Sequence, residues 1–248
     1  MKAMILAAGL GTRLRPLTDD RPKALVEVAG RSLLEITLSR LGSLGIRDVI
    51  INVHHFADMI ADYLRLRDNF GLRLEISREE VLLDTGGGLK KAAWFFLEDR
   101  TAADEPFILH NVDVLSTIDL RRMVQFHTEK QALATLAVQN RESSRVLLFN
   151  DQQRLCGRRA GRNHEPEIVR PSRQLRPRAF CGIHVISSRF LRMMRENGVF
   201  SIVDAYLQLA ARGEDMLEFA ADEYYWRDLG KAEDLRLAGE DLKQRILF

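Results

Sequence analysis

Three sets of residues in this 248-residue chain could do chemistry. The first is the stretch AAGLGTRLRPLTDDRPKAL, residues 7–25. Gly9 and Gly11 permit close approach, so backbone N–H groups there can wrap an oxygen anion. Thr12 adds a hydroxyl, and Arg13 adds a fork of charge-assisted donors suited to phosphate. Lys23, behind the stiffening Pro22, adds a mobile point charge. A plain strand-to-helix turn would account for the glycines but not for the spaced Pro22-Lys23. Two familiar glycine motifs do not fit: Leu14 stands where a dinucleotide fingerprint needs its third glycine, and no P-loop pattern is present.

The second set is a pair of distant carboxylates, Asp113 in ILHNVDV and Asp228 in YYWRDLG. Either alone reads as a turn or cap residue. Brought together, they would hold a hard cation such as Mg2+, which takes one or two carboxylates plus substrate phosphates. The third set is glycines. Gly86, Gly87 and Gly88 precede LKKA, either as a flexible helix entry or as a flat floor for a base. Gly182 in FCGIHVIS reads as a strand bulge.

These groups need a scaffold that gathers strand ends. AMILA, DVIINV, LRLEIS and PFILHNV read as strands. They alternate with helical patterns: SLLEITLSRLGSLG (Ser32 and Glu35 a capping box, Gly45 a stop), ADMIADYLRLRDNFG ending near Gly71, GLKKAAWFFLED and DLRRMVQFHTEK. ALATLAVQ closes the series. Such alternation predicts an α/β fold with an open, mostly parallel, doubly wound sheet, which binds ligands at the carboxyl ends of its strands. After about Arg141 the rhythm changes. RVLLFNDQQRL reads as a hairpin with an Asn-Asp turn, residues 154–178 are arginine-rich without periodicity, and AFCGIHVIS is strand-like. Helical patterns follow at 188–196, 202–212 and 231–247. No linker separates the halves, so residues 1–248 are expected to form one domain: a first half, 1–140, and an embellishment on the same sheet, 141–248.

Thirty-seven basic against 35 acidic residues leave a net charge of +2. That balance argues against nucleic acid as a partner, and no apolar run reaches the length of a membrane span. The short apolar start, followed at once by Arg13 and Arg15, does not read as a signal peptide. Cys156 and Cys181 show no metal spacing, which fits free thiols in a reducing cytoplasm. His54 and His55 read as helix-entry residues, and Trp94, Phe95 and Phe96 as core. A monomer and a small homo-oligomer are both compatible with the pattern.

LAAGLGTRLRPLTDDRPKALVEVAGRSLLE strongly resembles the signature of sugar-1-phosphate nucleotidyltransferases, the family that includes the glucose-1-phosphate thymidylyltransferases. The likeness continues, in the family's order, through DTGGGLKKA, HNVD, FCGIHVIS and WRDLGKAEDL. Size and the glycine triplet look most like the short bacterial N-acetylmuramate 1-phosphate uridylyltransferases. The resemblance implies a Rossmann-like nucleotide-diphospho-sugar transferase fold whose 141–248 half binds the sugar. It implies that Leu6, Ala8, Gly9 and Gly87 line the base and ribose pocket, with Gly11 and Thr12 in the phosphate loop. It implies Arg13 on the β/γ-phosphates, Lys23 near the reacting centre, Asp113 and Asp228 as ligands of Mg2+, and Gly182 against the sugar. The family commonly has glycine where Val112 stands. Many relatives carry a Glu-Lys-Pro segment whose lysine touches the sugar phosphate. Here EIVRPS offers Arg170, either as a stand-in or as a simple difference. The arginines of 154–178 are read as a solvated face, or else one or two of them reach an acidic sugar.

The implied reaction joins a nucleoside triphosphate to a sugar 1-phosphate and releases pyrophosphate. UTP and N-acetylmuramate 1-phosphate lead. Guanylyl or thymidylyl transfer to another sugar, cytidylyl transfer to phosphocholine (with Tyr224, Tyr225 and Trp226 as an aromatic box), and a non-catalytic nucleotide-sugar-binding regulator are the alternatives. The sugar phosphate is its own nucleophile, since its second pKa is about 6. The chemistry then needs cations and backbone donors, not a strong base.

Overall fold

The apolar runs of the first half become strands, and all but the edge strand Arg73–Arg78 are buried on both faces. The computed structural model describes residues 1–98, 104–161 and 164–243. The chain opens with β1 (Lys2–Leu6), a small hairpin of β2 (Glu27–Val28) and β3 (Arg31–Ser32), then α1 (Leu33–Ser43) and β4 (Asp48–Val53). It continues with α2 (Ala57–Leu66), β5 (Arg73–Arg78), α3 (Asp84–Lys91), α4 (Ala93–Leu97) and β6 (Pro106–Asn111). β7 (Val114–Ser116), α5 (Leu120–Glu129) and β8 (Ala134–Gln139) complete this half.

β1 lies between β4 and β6 and runs parallel to both, with Met4 opposite Ile50 and Leu109. Successive side chains point to opposite faces. Ala3 and Ile5 therefore join a core with Leu34 of α1 and Ile60 of α2, while Met4 joins a second core with Leu89 of α3. This explains why the strands read as continuous apolar runs.

The second half extends the same sheet. Its elements are β9 (Arg145–Phe149), β10 (Leu155–Ala160), β11 (Glu167–Ile168), β12 (Arg176–Ser187), α6 (Ser188–Met193) and α7 (Ile202–Ala211). β13 (Met216–Ala220), β14 (Trp226–Asp228) and α8 (Ala232–Lys243) follow. The main path is β11-β10-β9-β12-β6-β1-β4-β5, with β8 on β12 and β13 on β8. The sheet is thus parallel from β6 through β5. It turns mixed where β12 enters antiparallel between β6 and β8. Simple strand-helix alternation makes β8 another parallel neighbour of the series. In the fold its neighbours are antiparallel β12 and parallel β13.

Local boundaries follow local chemistry. Ser32 caps α1 by accepting from the Glu35 amide, and Gly45, at φ 86°, ends it. α2 stops at Leu66, short of the expected Gly71, because Asp68, Asn69 and Phe70 adopt left-handed angles. The glycine triplet lies inside α3, not ahead of it, and the expected third helix is split at Ala92. A Cβ on Gly86 would collide with the Phe200 ring, and one on Gly87 with the Gly198 carbonyl oxygen. Close packing offsets the helix penalty of glycine, about 1 kcal/mol per residue. Trp94 is exposed, whereas Phe95 is buried and Phe96 stacks on Phe107. The helix expected over 188–196 ends at Met193, and the last one begins at Ala232, with 244–247 outside the described residues.

Candidate active site

β1 delivers the chain to the carboxyl edge of the sheet, and Ala7–Arg13 turn there. Gly11 has φ +65°, and a Cβ on it would sit 3.0 Å from Thr18 Cγ2 and 3.1 Å from Lys23 Cβ. Glycine is therefore required for both conformation and space. Thr18 Oγ1 donates to the Gly11 carbonyl at 2.9 Å, and buried Leu14 anchors the turn. Among the described residues, the amides of Gly9, Leu10, Gly11, Thr12 and Arg13 donate to no protein acceptor in the loop. The stretch is an open row of donors with a guanidinium beside it.

Pro22 enters a single helical turn at Lys23–Leu25, which aims Lys23 back at the strand ends. The Lys23 ammonium is buried and pairs with Asp113 Oδ2. Asp113 follows β6 directly. Val112 N donates to Leu6 O at 3.1 Å, so the valine keeps the strand-end geometry. β14 runs antiparallel to β7 with Asp228 opposite Val114, and Leu229 N donates to Asp113 O at 2.8 Å. One short ribbon thus joins two aspartates 115 positions apart (228 − 113). Asp228 Oδ1 accepts from Gly230 N at 2.8 Å and lies 4.0 Å from Arg13 Nη2. A Cβ on Gly230 would stand 2.5 Å from both Arg13 Nη2 and Asp228 Oδ1.

The donor set suits a hard divalent cation. Both candidate ligands are carboxylates, and no group of three or more His, Cys, Asp or Glu able to hold a metal occurs among the described residues. Each aspartate has one oxygen engaged by the protein, Asp113 Oδ2 by Lys23 and Asp228 Oδ1 by Gly230 N. Two carboxylates leave coordination positions for phosphate oxygens and water, as Mg2+ requires.

Two clefts meet at this edge. The first, about 480 Å³, is lined by Leu6, Ala8, Gly9, Gly11 and Thr12 on one side, with Arg13, Lys23 and Asp113 at its end. The second, about 700 Å³, lies toward β9, β10 and α7, and shares Asp84, Thr85 and Asn111 with the first. Asp84 holds φ +58° at their junction. Asn52, Asp84, Thr85, Asn111 and Gly230 also line the first cleft without a motif that marks them. Asn52 and Asn111 carry the one usable signal, as polar residues near the ends of apolar strands.

Three sequence candidates do not line the first cleft. Gly87 packs against Gly198 outside the first cleft. Gly182 is a bulge at φ +71° between Phe180 and His184, set against the Asn111 side chain. Arg170 is outside both clefts, donating to Ala210 O and Glu214 O beside Asp215. One partner carbonyl lies in the last turn of α7 and the other in the turn that follows it. The other arginines of 154–178 are mostly engaged as well: Arg154 with Asp215, Arg158 with Asp204 and Glu167, Arg176 and Arg178 with Glu218. Arg158 and Arg159 line the second cleft. Nearby histidines are poor proton carriers. Burial, helped by the Arg40 charge, pushes His110 down to about 3, and burial with His110 beside it does the same to His184.

The chain is similar to proteins of known family and structure. The family model described as nucleotidyl transferase matches residues 2–146. An N-acetylmuramate alpha-1-phosphate uridylyltransferase of Caulobacter vibrioides is 56% identical over 93 residues, 36% of this chain and 38% of that protein. A mannose-1-phosphate guanylyltransferase of Mycobacterium tuberculosis is 28% identical over 257 residues, 98% of this chain and 65% of that protein. The chain covers less than two thirds of either relative. The crystal structure of HddC from Yersinia pseudotuberculosis complexed with GMP-PN superposes with a TM-score of 0.73 at 20% identity, covering 97% of this chain and 99% of that one. At that identity the likeness is one of fold.

Proposed function

Because this chain belongs to the nucleotidyl transferase family, we propose that it transfers a nucleotidyl group from a nucleoside triphosphate to a sugar 1-phosphate, releasing pyrophosphate. One observation carries the reading: Arg13, Lys23 and Asp113 line the end of a cleft beside a row of loop amides that are unbonded among the described residues, and Asp228 lies 4.0 Å from Arg13 with Leu229 bonded to Asp113. A phosphate dianion is the nucleophile and attacks the α-phosphorus in line. The barrier is repulsion between polyanions and charge growing on the leaving pyrophosphate. The loop amides and Arg13 bind the β/γ-phosphates and stabilise that charge, and Lys23 serves the phosphates at the reacting centre. Asp113 and Asp228 would hold Mg2+, whose chemistry here is charge neutralisation between the reactants. No covalent enzyme intermediate is required.

The finer reading is UTP with N-acetylmuramate 1-phosphate. The Caulobacter vibrioides relative acts in its favour, and so do Arg145 and Arg159. Both line the second cleft and have no carboxylate partner among the described residues, whereas Arg158 is held by Asp204 and Glu167. A phosphocholine reading is disfavoured, because Arg141 already lies 3.8 Å over the Trp226 ring and Tyr225 bonds Asp241. All four charged residues expected of an enzyme are present, against a purely regulatory role. We read the chain as one nucleotidyltransferase domain in the cytoplasm. Its two cysteines are buried free thiols, and among the described residues no helix is long and apolar enough to cross a membrane.

The test is a matrix of UTP, dTTP, GTP and CTP against neutral and carboxylated sugar 1-phosphates, and against phosphocholine, with Mg2+ and pyrophosphate detection. Turnover of UTP with the carboxylated sugar phosphate, lost selectively in Arg145→Ala or Arg159→Ala, is expected. Equal turnover of acidic and neutral sugars removes the finer reading. No pyrophosphate from any pair removes the proposal.

A further inference from the structure

Behind the first cleft, two polar side chains form a bond for which the proposed reaction has no direct use. Asn52, at the end of β4, is 2% exposed, and Glu79, just past β5, is 4% exposed. Asn52 Oδ1 accepts the Ala7 amide at 2.8 Å, and Asn52 Nδ2 donates to Glu79 Oε1 at 2.7 Å. Glu79 Oε2 accepts the Leu83 amide at 2.9 Å, one residue before α3. The amide orientation is forced, since only an oxygen can accept from Ala7 and only the NH2 can donate to a carboxylate. Gly88 packs onto this bond, where a Cβ would sit 2.7 Å from both Asn52 Nδ2 and Glu79 Oε1.

No ion pair to Glu79 exists among the described residues. Its buried charge is answered by two N–H donors and by the positive end of α3. Both carboxylate oxygens are engaged, and Glu79 does not line the first cleft; Asn52 does, but its amide oxygen and NH2 already bond Ala7 and Glu79. The pair instead joins the cleft's two walls. Ala7 opens the loop that carries Gly9 to Arg13, and Leu83 stands between Leu82 and Asp84 on the opposite wall.

We infer that Asn52 and Glu79 are positioning residues that fix the anion-binding loop against the start of α3, setting the width of the triphosphate cleft. This rests on the reading of that cleft as the nucleotide site. Neither residue touches the reacting atoms. Their loss therefore acts on nucleotide binding, while sugar phosphate binding in the second cleft is largely spared.

A charge swap tests the relay. Asn52→Asp sets two carboxylates face to face. Glu79→Gln leaves one donor facing another, whichever way the new amide turns. The double variant Asn52→Asp/Glu79→Gln restores all three bonds: the carboxylate at 52 accepts from Ala7 and from the new amide NH2, and the new amide oxygen accepts from Leu83. Each single variant is expected to raise the KM for the nucleoside triphosphate by about 10-fold or more, the scale of one hydrogen bond to a charged group. The sugar phosphate KM should change by less than about threefold. The double variant should return to within about threefold of wild type, a coupling that independent sites do not show. Amide exchange at Ala7 and Leu83, measured in the free protein, should accelerate in the singles and recover in the swap. If a single variant does not fold, the swap must fold. A swap no better than the worse single, in exchange or in KM, overturns the relay, as do folded singles with unchanged exchange. If wild type turns over no substrate pair, the functional reading falls by itself and exchange alone decides the relay.

Discussion

The loop of the first cleft and the arginine-rich wall of the second half use the same side chain for opposite ends. Arg13 is 61% exposed and reaches a carboxylate only at 4.0 Å, next to amides that donate to no acceptor among the described residues. Arg176 and Arg178 flank Glu218, whose side chain is 2% exposed, and Arg154 and Arg170 flank Asp215. In the wall, carboxylates consume the positive charge and fasten β10 and β12 to α7 and β13. In the loop, the charge is held in place with no closer carboxylate among the described residues, which is the condition the proposed phosphate role needs.

The largest expected effect breaks the loop side of this comparison. Lys23→Ala and Asp113→Ala should each lower kcat by about 10²–10³-fold, the scale of losing one preorganised electrostatic group. Far-UV circular dichroism should remain that of the folded protein. Unchanged rates in both would remove the role assignments.

Next comes the wall. Glu218→Ala strands Arg176 and Arg178 and should lower unfolding stability by about 1–3 kcal/mol. That figure is reduced from the cost of a fully buried pair because Arg176 is 46% exposed. Denaturant melts should show the loss while kcat stays within about twofold. A kcat loss without a stability loss would make the wall catalytic and erase the contrast.

Acid acts on the interior common to both regions. Burial depresses His110 and His184 to about 3 and, with Arg189 nearby, His127 to about 4. The unfolded chain takes up these protons below about pH 6.5, and the native state does not until its lower pKa. Stability should therefore fall as pH drops from about 6.5 toward 4, by up to about 1.4 kcal/mol per pH unit for each histidine. The rate should instead follow the second ionisation of the sugar phosphate, near pH 6. A pH-stability curve flat from 7 to 4 would contradict the burial.

Arg170 should give the smallest effect. Arg170→Lys is expected to leave the sugar phosphate KM within about twofold, since its guanidinium serves backbone carbonyls. A tenfold rise would return it to the sugar site.

What could be read before folding follows from how far apart the relevant atoms lie along the chain. The stretch from Ala7 to Lys23 is contiguous, so its glycines, hydroxyl and cations were visible together. The cap at Ser32 and the stop at Gly45 were visible for the same reason. The glycine triplet misled because its cause is remote: Phe200, Gly198 and the Asn52–Glu79 bond crowd Gly86, Gly87 and Gly88. Arg170 misled because a positive charge beside a proline looks the same whether it meets a phosphate or the end of α7.

The sequence by itself determined the five longer strands of the first half, its helices α1, α2 and α5 though not all their ends, the composition of the glycine loop and the family signature, because short-range sterics and burial periodicity act along the chain. Only the tertiary structure decided that β12 enters antiparallel between β6 and β8, and that β14 carries Asp228 back beside Asp113. It also decided which arginines remain unpaired and that one asparagine and one glutamate tie the two walls of a cleft. Those outcomes depend on distances between residues far apart in the chain, which packing sets and local pattern does not encode.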